Sequence, residues 1–456
     1  MTSAQAESLY TLDGKTISSE GLSPAQQQQL LEVDKASTEQ FQLSADKLVL
    51  ESYFADEAIK QKKSREELEK KVFEVGEPSE KALKDWYEAN KAKIPPNYEF
   101  EKIKVEIAKI VKQEEVKVKR DELLSKVKKD GKFALIRGTA AANSPTAVAG
   151  ALYSFGGKTI SAVDLTPAQQ QQIFELEAQK FEMHRAFIDK IVLDVYFAEE
   201  AKKKSKTAED VEKAAFDVKE PSEKALKAWY AKNKAHIPPN YEFDKIKAEI
   251  VKIVKDDELK GKRTALLEKV KKSGKFALIA KMPVGPTVDV KTDGYPFKGK
   301  EGSKLTVVEF ADFQCSHCKA ASEVFKKVAA KYSDKMKYVF VDFPINPSGI
   351  SKIVAEGSHC AAEQNKYWEY HYKAFDGQTK LDKDSAIKFA KELKLDEPKF
   401  KACFEGTKGK AMVEKGRTEG DRIGVSGTPY LLFNGHRYLG AHTVEAVTKE
   451  VETYLK

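Results

Sequence analysis

Between residues 24 and 62, apolar side chains recur at Phe41, Ala45, Leu48, Ala55 and Ile59, three, four or seven positions apart, with Lys, Glu, Asp and Gln between them. That spacing lines one face of an α-helix. A start signal precedes the run: Ser23 can cap, Pro24 takes the first helical position and Gln26 closes a capping box. Unbroken, a helix over 24–62 would be about 58 Å long. A second capping box, Ser64 with Glu67, starts another helix, and a short helix carrying Trp86 follows. Pro95 and Pro96 force extension, and a further long helix runs from about Tyr98 toward Gly131, which resembles a C-terminal stop. After Pro283 the pattern changes. "LTVVEF" at 305–310 is a β-branched run suited to a buried strand, and the helix-like "SHCKAASEVFKKVAAKY" follows it. Next come a second apolar strand, "KYVFVDFPI" at 337–345, a helical stretch over about 350–420, the strand pair "YLLFNG" and "RYLGA", and a closing helix from Thr443.

The helical part is written twice. "SPAQQQQL" at 23–30 returns as "TPAQQQQI" at 166–173, "EPSEKALKDWY" at 77–87 as "EPSEKALKAWY" at 220–230, and "GKFALI" at 131–136 recurs at 274–279. Each offset is 143 residues, so the copies align without a gap from Leu9 to Ile136 and from Leu152 to Ile279. This is a tandem duplication. The start signals repeat too, at Thr166, Pro167 and Gln169 and at Thr207 and Asp210. His184 stands where the first copy has Phe41; with no Cys or Asp at ligand spacing it reads as a partly buried structural histidine. The small, polar stretches "RGTAAANSPTAVAGA" and "PVGPTVDVKTDGYPFKGKEG" read as linkers. The predicted organisation is therefore a helical repeat at 8–139, a linker at 140–150, a second helical repeat at 151–282, and an α/β domain at 285–456 with a helical insertion over about 350–420.

Composition excludes more than it assigns. A chain of 456 residues is long for one core, and 33% charged residues describe long solvated helices. No apolar run reaches the length of a membrane span. The net charge of +8 is spread through alternating Lys and Glu, as in "EELEKK", without clusters or interleaved aromatics, so no nucleic-acid partner is expected. Met1 to Tyr10 shows neither a basic n-region nor an apolar h-region, so either the chain is cytosolic or an export signal has been removed ahead of it.

Two of the four cysteines, Cys315 and Cys318, lie three apart in "ADFQCSHCKA", at the junction of a predicted strand and helix. That context suits a redox dithiol, because the thiolate attacks and a helix N-terminus stabilises its negative charge. His317, if cationic, adds to that field. Cys318, one turn along, is expected to be more buried. A zinc site would need two further ligands, with His359, Cys360 and Cys403 the candidates to invoke; no metal is expected. An inert crosslink would close a loop of only four residues and gain little. His371, His436 and His442 have no evident partner and read as structural or surface residues.

Two resemblances extend this reading. The words "VVEFADFQCSHCKAAS", "VFVDFPIN", "HCAAEQNKYWEYHYKAF", "FKACFEG" and "GVSGTPYLLFNG" make residues 285–456 similar to the DsbA-like thioredoxin-fold oxidoreductases. The resemblance implies that Cys315 is the nucleophile and Cys318 the resolving thiol. It also implies a cis Thr428–Pro429 bond beside them, a buried carboxylate at Glu309, substrate contacts at Ser316, Thr428 and Pro429, and a structural disulfide between Cys360 and Cys403. Ser316 stands where many members have Pro, which bears on the redox potential. No cofactor is implied. Reduced or unfolded exported proteins are the implied substrates, a membrane redox partner resets the dithiol, and the compartment is the periplasm or another exported location. In the repeats, "DEAIKQKKSREELEKKVF", "SEKALKDWYEANK" and "FEKIKVEIAKIVKQEEVKVKRDELLSKVKK" with "FALI" after it resemble the helical domain of the SurA-type periplasmic chaperones. A prolyl isomerase domain commonly interrupts that family before its last helix; here only "AKIPPNY" stands there, so that activity is not implied. The expectation is two tandem all-α, chaperone-like repeats ahead of a thioredoxin-fold domain. Oxidase and isomerase, and substrate cradle, homo-oligomerisation arm, spacer or redox-sensing holdase, stay open.

Overall fold

A computed structural model describes residues 8–95, 98–136, 150–234, 237 and 241–456. The predicted linker at 140–150 lies almost wholly outside them, as does part of "AKIPPNY". The two copies share one set of elements. In the first these are β1 (Ser8–Leu12), β2 (Lys15–Ser18), α1 (Pro24–Gln61), α2 (Arg65–Val72), α3 (Glu80–Asn90), α4 (Phe100–Asp130) and β3 (Ala134–Leu135). In the second they are β4 (Ala151–Phe155), β5 (Lys158–Ser161), α5 (Pro167–Lys204), α6 (Ala208–Ala215), α7 (Glu223–Asn233), α8 (Phe243–Lys272) and β6 (Phe276–Leu278). The capping boxes form as written: Ser64 accepts from Glu67 N–H, and Thr166 from Gln169 N–H.

The copies are not all-α. Each opens with a β-hairpin that the helical periodicity passes over. Its signal is the turn: Asp13 and Gly14 have φ of 48° and 77°, and Gly156 and Gly157 have 58° and 76°, the left-handed pair that a two-residue hairpin needs.

The strand pairing crosses between copies. β1 pairs antiparallel with β2 and with β6, which closes the second copy; β4 pairs with β5 and with β3, which closes the first. Each hairpin therefore completes its sheet with the other copy's last strand. The compact units follow this exchange: one holds Leu31–Leu165, the other Ala6–Leu30 together with Thr166–Lys456. In the second unit, Leu9, Tyr10 and Phe276 pack on Phe187, Ile188, Ile191 and Val192 of α5. In the first, the Phe155 ring lies so close to Gly131 that any Cβ there would collide with it. Gly131 follows α4 with φ of −82°, so close approach rather than a left-handed cap requires it.

The C-terminal region is an α/β domain. Its elements are β7 (Phe297–Gly299), β8 (Leu305–Ala311), α9 (Ser316–Lys331), β9 (Met336–Asp342), α10 (Ile350–Ala362), α11 (Tyr367–Asp376), α12 (Ser385–Glu392), α13 (Glu397–Glu405), α14 (Lys408–Ile423), β10 (Tyr430–Phe433), β11 (His436–Arg437) and α15 (Val444–Leu455). The sheet order is β11-β10-β8-β9-β7, with β8 and β9 parallel and the other pairs antiparallel. Alternate residues of β8 serve opposite faces: Leu305 and Val307 pack with Phe325, Val328, Val447 and Val451, whereas Val308 and Phe310 pack with Ile423, Val425 and Tyr430. The stretch after Pro283 is not all linker. Val288 and Tyr295 are core residues and β7 is the edge strand, because a buried sheet face recruits apolar side chains even from a Gly- and Lys-rich segment. Cys360 on α10 and Cys403 on α13 form a disulfide.

Candidate active site

The site is built where β8 gives way to α9. Buried Asp312 accepts hydrogen bonds from the backbone N–H of Gln314, Ile345 and Asn346 and from the Ser351 hydroxyl. Four donors leave its carboxylate satisfied although it lies out of solvent. From across the site, the Gln378 side chain donates to the carbonyls of Phe313 (2.8 Å) and Cys315 (2.9 Å). The turn that presents Cys315 is thus held from both sides. Sequence reasoning missed both residues: an Asp after a strand and a Gln opening a short 3-10 turn 63 residues beyond Cys315 carry no local signal.

Cys315 caps α9 and is half-buried, whereas Cys318 is fully buried. The Cys315 thiol is pulled down to about 6, first by its hydrogen bond from the Cys318 thiol and then by the backbone N–H groups of Cys318 and His317 and by Thr428, against burial. Its sulfur lies 3.3 Å from the Thr428 carbonyl oxygen. Burial pushes the Cys318 thiol well above its ordinary value, with Glu309 and Cys315 adding to the rise. The asymmetry makes one sulfur a nucleophile and good leaving group and keeps the other protonated.

Glu309 shares the sheet face of Val307, where α9 packs, and is fully buried. Its Oε2 accepts a 2.5 Å hydrogen bond from Tyr338 Oη, and its Oε1 has no partner. Burial raises its carboxyl to about 8, the Tyr338 bond opposing and the Cys315 charge adding. The Thr428–Pro429 peptide is cis, and Ser316 and His317 lie exposed on the first turn of α9. His317 reaches the Cys315 sulfur through its backbone N–H.

The remaining histidines divide. His371 is buried, 2.9 Å from the Ser322 hydroxyl, and burial pushes it down to about 3, so it is neutral. His359 faces Asp342 at 2.9 Å, both buried. His436 lies 3.1 Å from the Thr287 hydroxyl, and His442 stacks on Tyr438, where burial, with Arg437 adding, pushes it down from its ordinary value. His184 is buried on α5. Cys360 and Cys403 are bonded to each other, which removes two of the three additional ligands a zinc site would have drawn on. Among the described residues no helix is long and apolar enough to cross a membrane.

Residues 291–453 match the family model described as Thioredoxin. The Na(+)/H(+) antiporter NhaA of Herminiimonas arsenicoxydans is 29% identical over 181 residues, 40% of this chain and 28% of the relative. The chain thus spans little more than a quarter of the antiporter's length. Disulfide bond formation protein D of Bacillus subtilis is 25% identical over 174 residues, 36% of this chain and 78% of the relative. Among solved structures, the thiol-disulfide exchange protein alpha-DsbA2 of Wolbachia pipientis is 26% identical, with a TM-score of 0.32, over 35% of this chain and 86% of its own.

Proposed function

We propose, from the premise that residues 291–453 are a thioredoxin-family domain of DsbA-like type, that the chain is a thiol-disulfide oxidoreductase that oxidises cysteines of exported proteins. The observation that carries it is the unequal dithiol: Cys315 half-exposed at a helix N-terminus with its thiol down to about 6, and Cys318 buried three residues on. In the oxidised enzyme a substrate thiolate attacks Sγ of Cys315, forming a mixed disulfide and releasing Cys318, which takes up a proton. The substrate's second thiolate then attacks its own sulfur of the mixed disulfide and displaces Cys315 as a stabilised thiolate. Two electrons pass from the substrate dithiol to the enzyme. Glu309 supplies a proton-exchanging group beside Cys318, and Ser316, Thr428 and Pro429 line the approach. A membrane redox partner would accept the two electrons and restore the disulfide. The Cys360–Cys403 bridge suits an oxidising, extracytoplasmic compartment.

The helical copies are read as an arm for reduced, unfolded substrate. An isomerase assembled from several chains by exchange of closing strands fits less well, because the central hairpin strands β1 and β4 already have a partner on each side within this chain. The test is equilibration of the Cys315–Cys318 pair with glutathione. A disulfide that reduced glutathione reduces readily would support the oxidase; one resisting reduction as firmly as a structural bridge would overturn it.

A further inference from the structure

The first turns of α5 pack against the segment that leads into Pro429. Gly424, with φ of +83°, lies so close that a Cβ would come within 2.8 Å of the Ala168 Cα. Phe174 is buried against Gly285, and Gln171, fully buried, donates to the Pro286 carbonyl at 3.4 Å. Leu31, the residue of the first copy that corresponds to Phe174, is 61% exposed, whereas Phe174 is 6% exposed. The second copy has thus acquired a seat that the first copy's exposed Leu31 does not share.

At the centre of this seat is Glu175. Its Oε2 accepts from the Ser426 hydroxyl at 3.3 Å, and its Oε1 faces Arg437 Nε at 3.7 Å; those two facing atoms are buried and have no hydrogen bond. Arg437 in turn donates to the carbonyls of Leu431 and Tyr438, and its guanidinium lies 3.8 Å over the Tyr430 ring. One carboxylate from the helical arm therefore holds the residues on both sides of Gly427, Thr428 and Pro429. Thr428 touches the Cys315 sulfur, and the space beside Gly427 is open. A polypeptide that offers a cysteine to Cys315 must cross this segment.

We propose that Glu175 is a positioning residue for protein substrates: from the arm it fixes the Ser426–Pro429 segment on which an incoming chain lies. The inference rests on the oxidoreductase reading for its kinetic consequence and on geometry alone for its structural one. Glu175 touches neither sulfur, so it acts on substrate binding and not on the exchange step.

The experiment uses the full chain with Glu175→Ala, Glu175→Gln and Phe174→Ala. With reduced, unfolded ribonuclease as substrate, Glu175→Ala should raise KM about fivefold at unchanged kcat, the mark of weaker ground-state binding once the segment that receives the substrate loses its tie to the arm. Glu175→Gln keeps the acceptor for Ser426 and should raise KM less. The equilibrium with glutathione and the pH profile of Cys315 alkylation should not move, whereas a general disturbance of the site would shift both. Independently of activity, amide hydrogen exchange over residues 425–431 should quicken in Glu175→Ala and Phe174→Ala. Unchanged exchange in both variants would overturn the positioning role, even if the wild-type chain proved inactive as an oxidoreductase. Faster exchange with KM unmoved would overturn its role toward substrate.

Discussion

The Cys315 and Cys318 thiols differ because the first sulfur sees backbone donors and a partner thiol, while burial, with Cys315 and Glu309 beside it, dominates the second. Alkylation of Cys315 should therefore follow a midpoint near pH 6, and Cys318 should not react across the same range. A shared midpoint near the ordinary thiol value would contradict the site. Replacing His317 with Ala removes the ring but keeps the backbone N–H, so the midpoint should rise by less than about one unit. Glu309 works in the opposite sense. Its carboxyl is raised from 4.5 to about 8, so between those values the unfolded chain is ionised and the folded one is not. Stability is fully present below about pH 4.5 and lost as the pH rises through 8, by an upper limit of about 5 kcal/mol at 1.36 kcal/mol per unit. Glu309→Gln should thus raise the melting temperature at pH 8 and leave it nearly unchanged at pH 4. An equal gain at both would mean that burial of its charge is not what destabilises the native chain.

Between elements, the exchange of hairpins sets what can be separated. β1 lies against β6 with Thr11 opposite Ala277, so a Thr11→Cys, Ala277→Cys pair in a Cys315→Ser, Cys318→Ser background should crosslink within single chains on oxidation. Crosslinking only between chains would show that the strands pair elsewhere. A chain of residues 140–456 retains one hairpin and one closing strand that were not each other's partners, and two such chains can satisfy both. It should sediment as a dimer while the full chain does not gain that contact. The disulfide between α10 and α13 is a second tie. With its ends separated by 43 positions in sequence, its loss in Cys403→Ser should cost about 4 kcal/mol in the chain-entropy account and leave the exchange chemistry intact. Loss of glutathione exchange in a folded Cys403→Ser protein would place the bridge in the mechanism.

At the scale of the whole molecule, separating the two parts tests the proposal that the arm holds a substrate and the redox domain oxidises it. Residues 285–456 alone should oxidise a short dithiol peptide at close to the full chain's rate, because both sulfurs, Glu309 and Gln378 lie within them. Oxidation of an unfolded protein should be slower than in the full chain, through a higher KM. Residues 1–282 should suppress aggregation of a cysteine-free client, and they must be kept together, since cutting between the copies breaks both small sheets. Equal activity of the short and full chains on the unfolded protein would reduce the arm to a spacer.

Local chemistry was enough for the helices, their caps, the duplication and the dithiol. A capping box, a 3.6-residue period and a Cys-Ser-His-Cys step between strand and helix are contacts among near neighbours, and the chain spells them out in order. The family resemblance added Glu309 and the pairing of Cys360 with Cys403, which spacing alone left open. The hairpins are written too, in Asp13-Gly14 and Gly156-Gly157, but a two-residue turn is a weaker signal than the long helical pattern beside it. Tertiary structure alone decided the rest. Two similar copies offer each closing strand two alternative hairpins, and the local pattern does not choose between them; three-dimensional packing shows that each pairs with the other copy's. In the same way, Asp312, Gln378 and Glu175 gain the contacts argued from above because folding brings groups distant in sequence within 2.7–3.3 Å of them, distances that no spacing along the chain encodes.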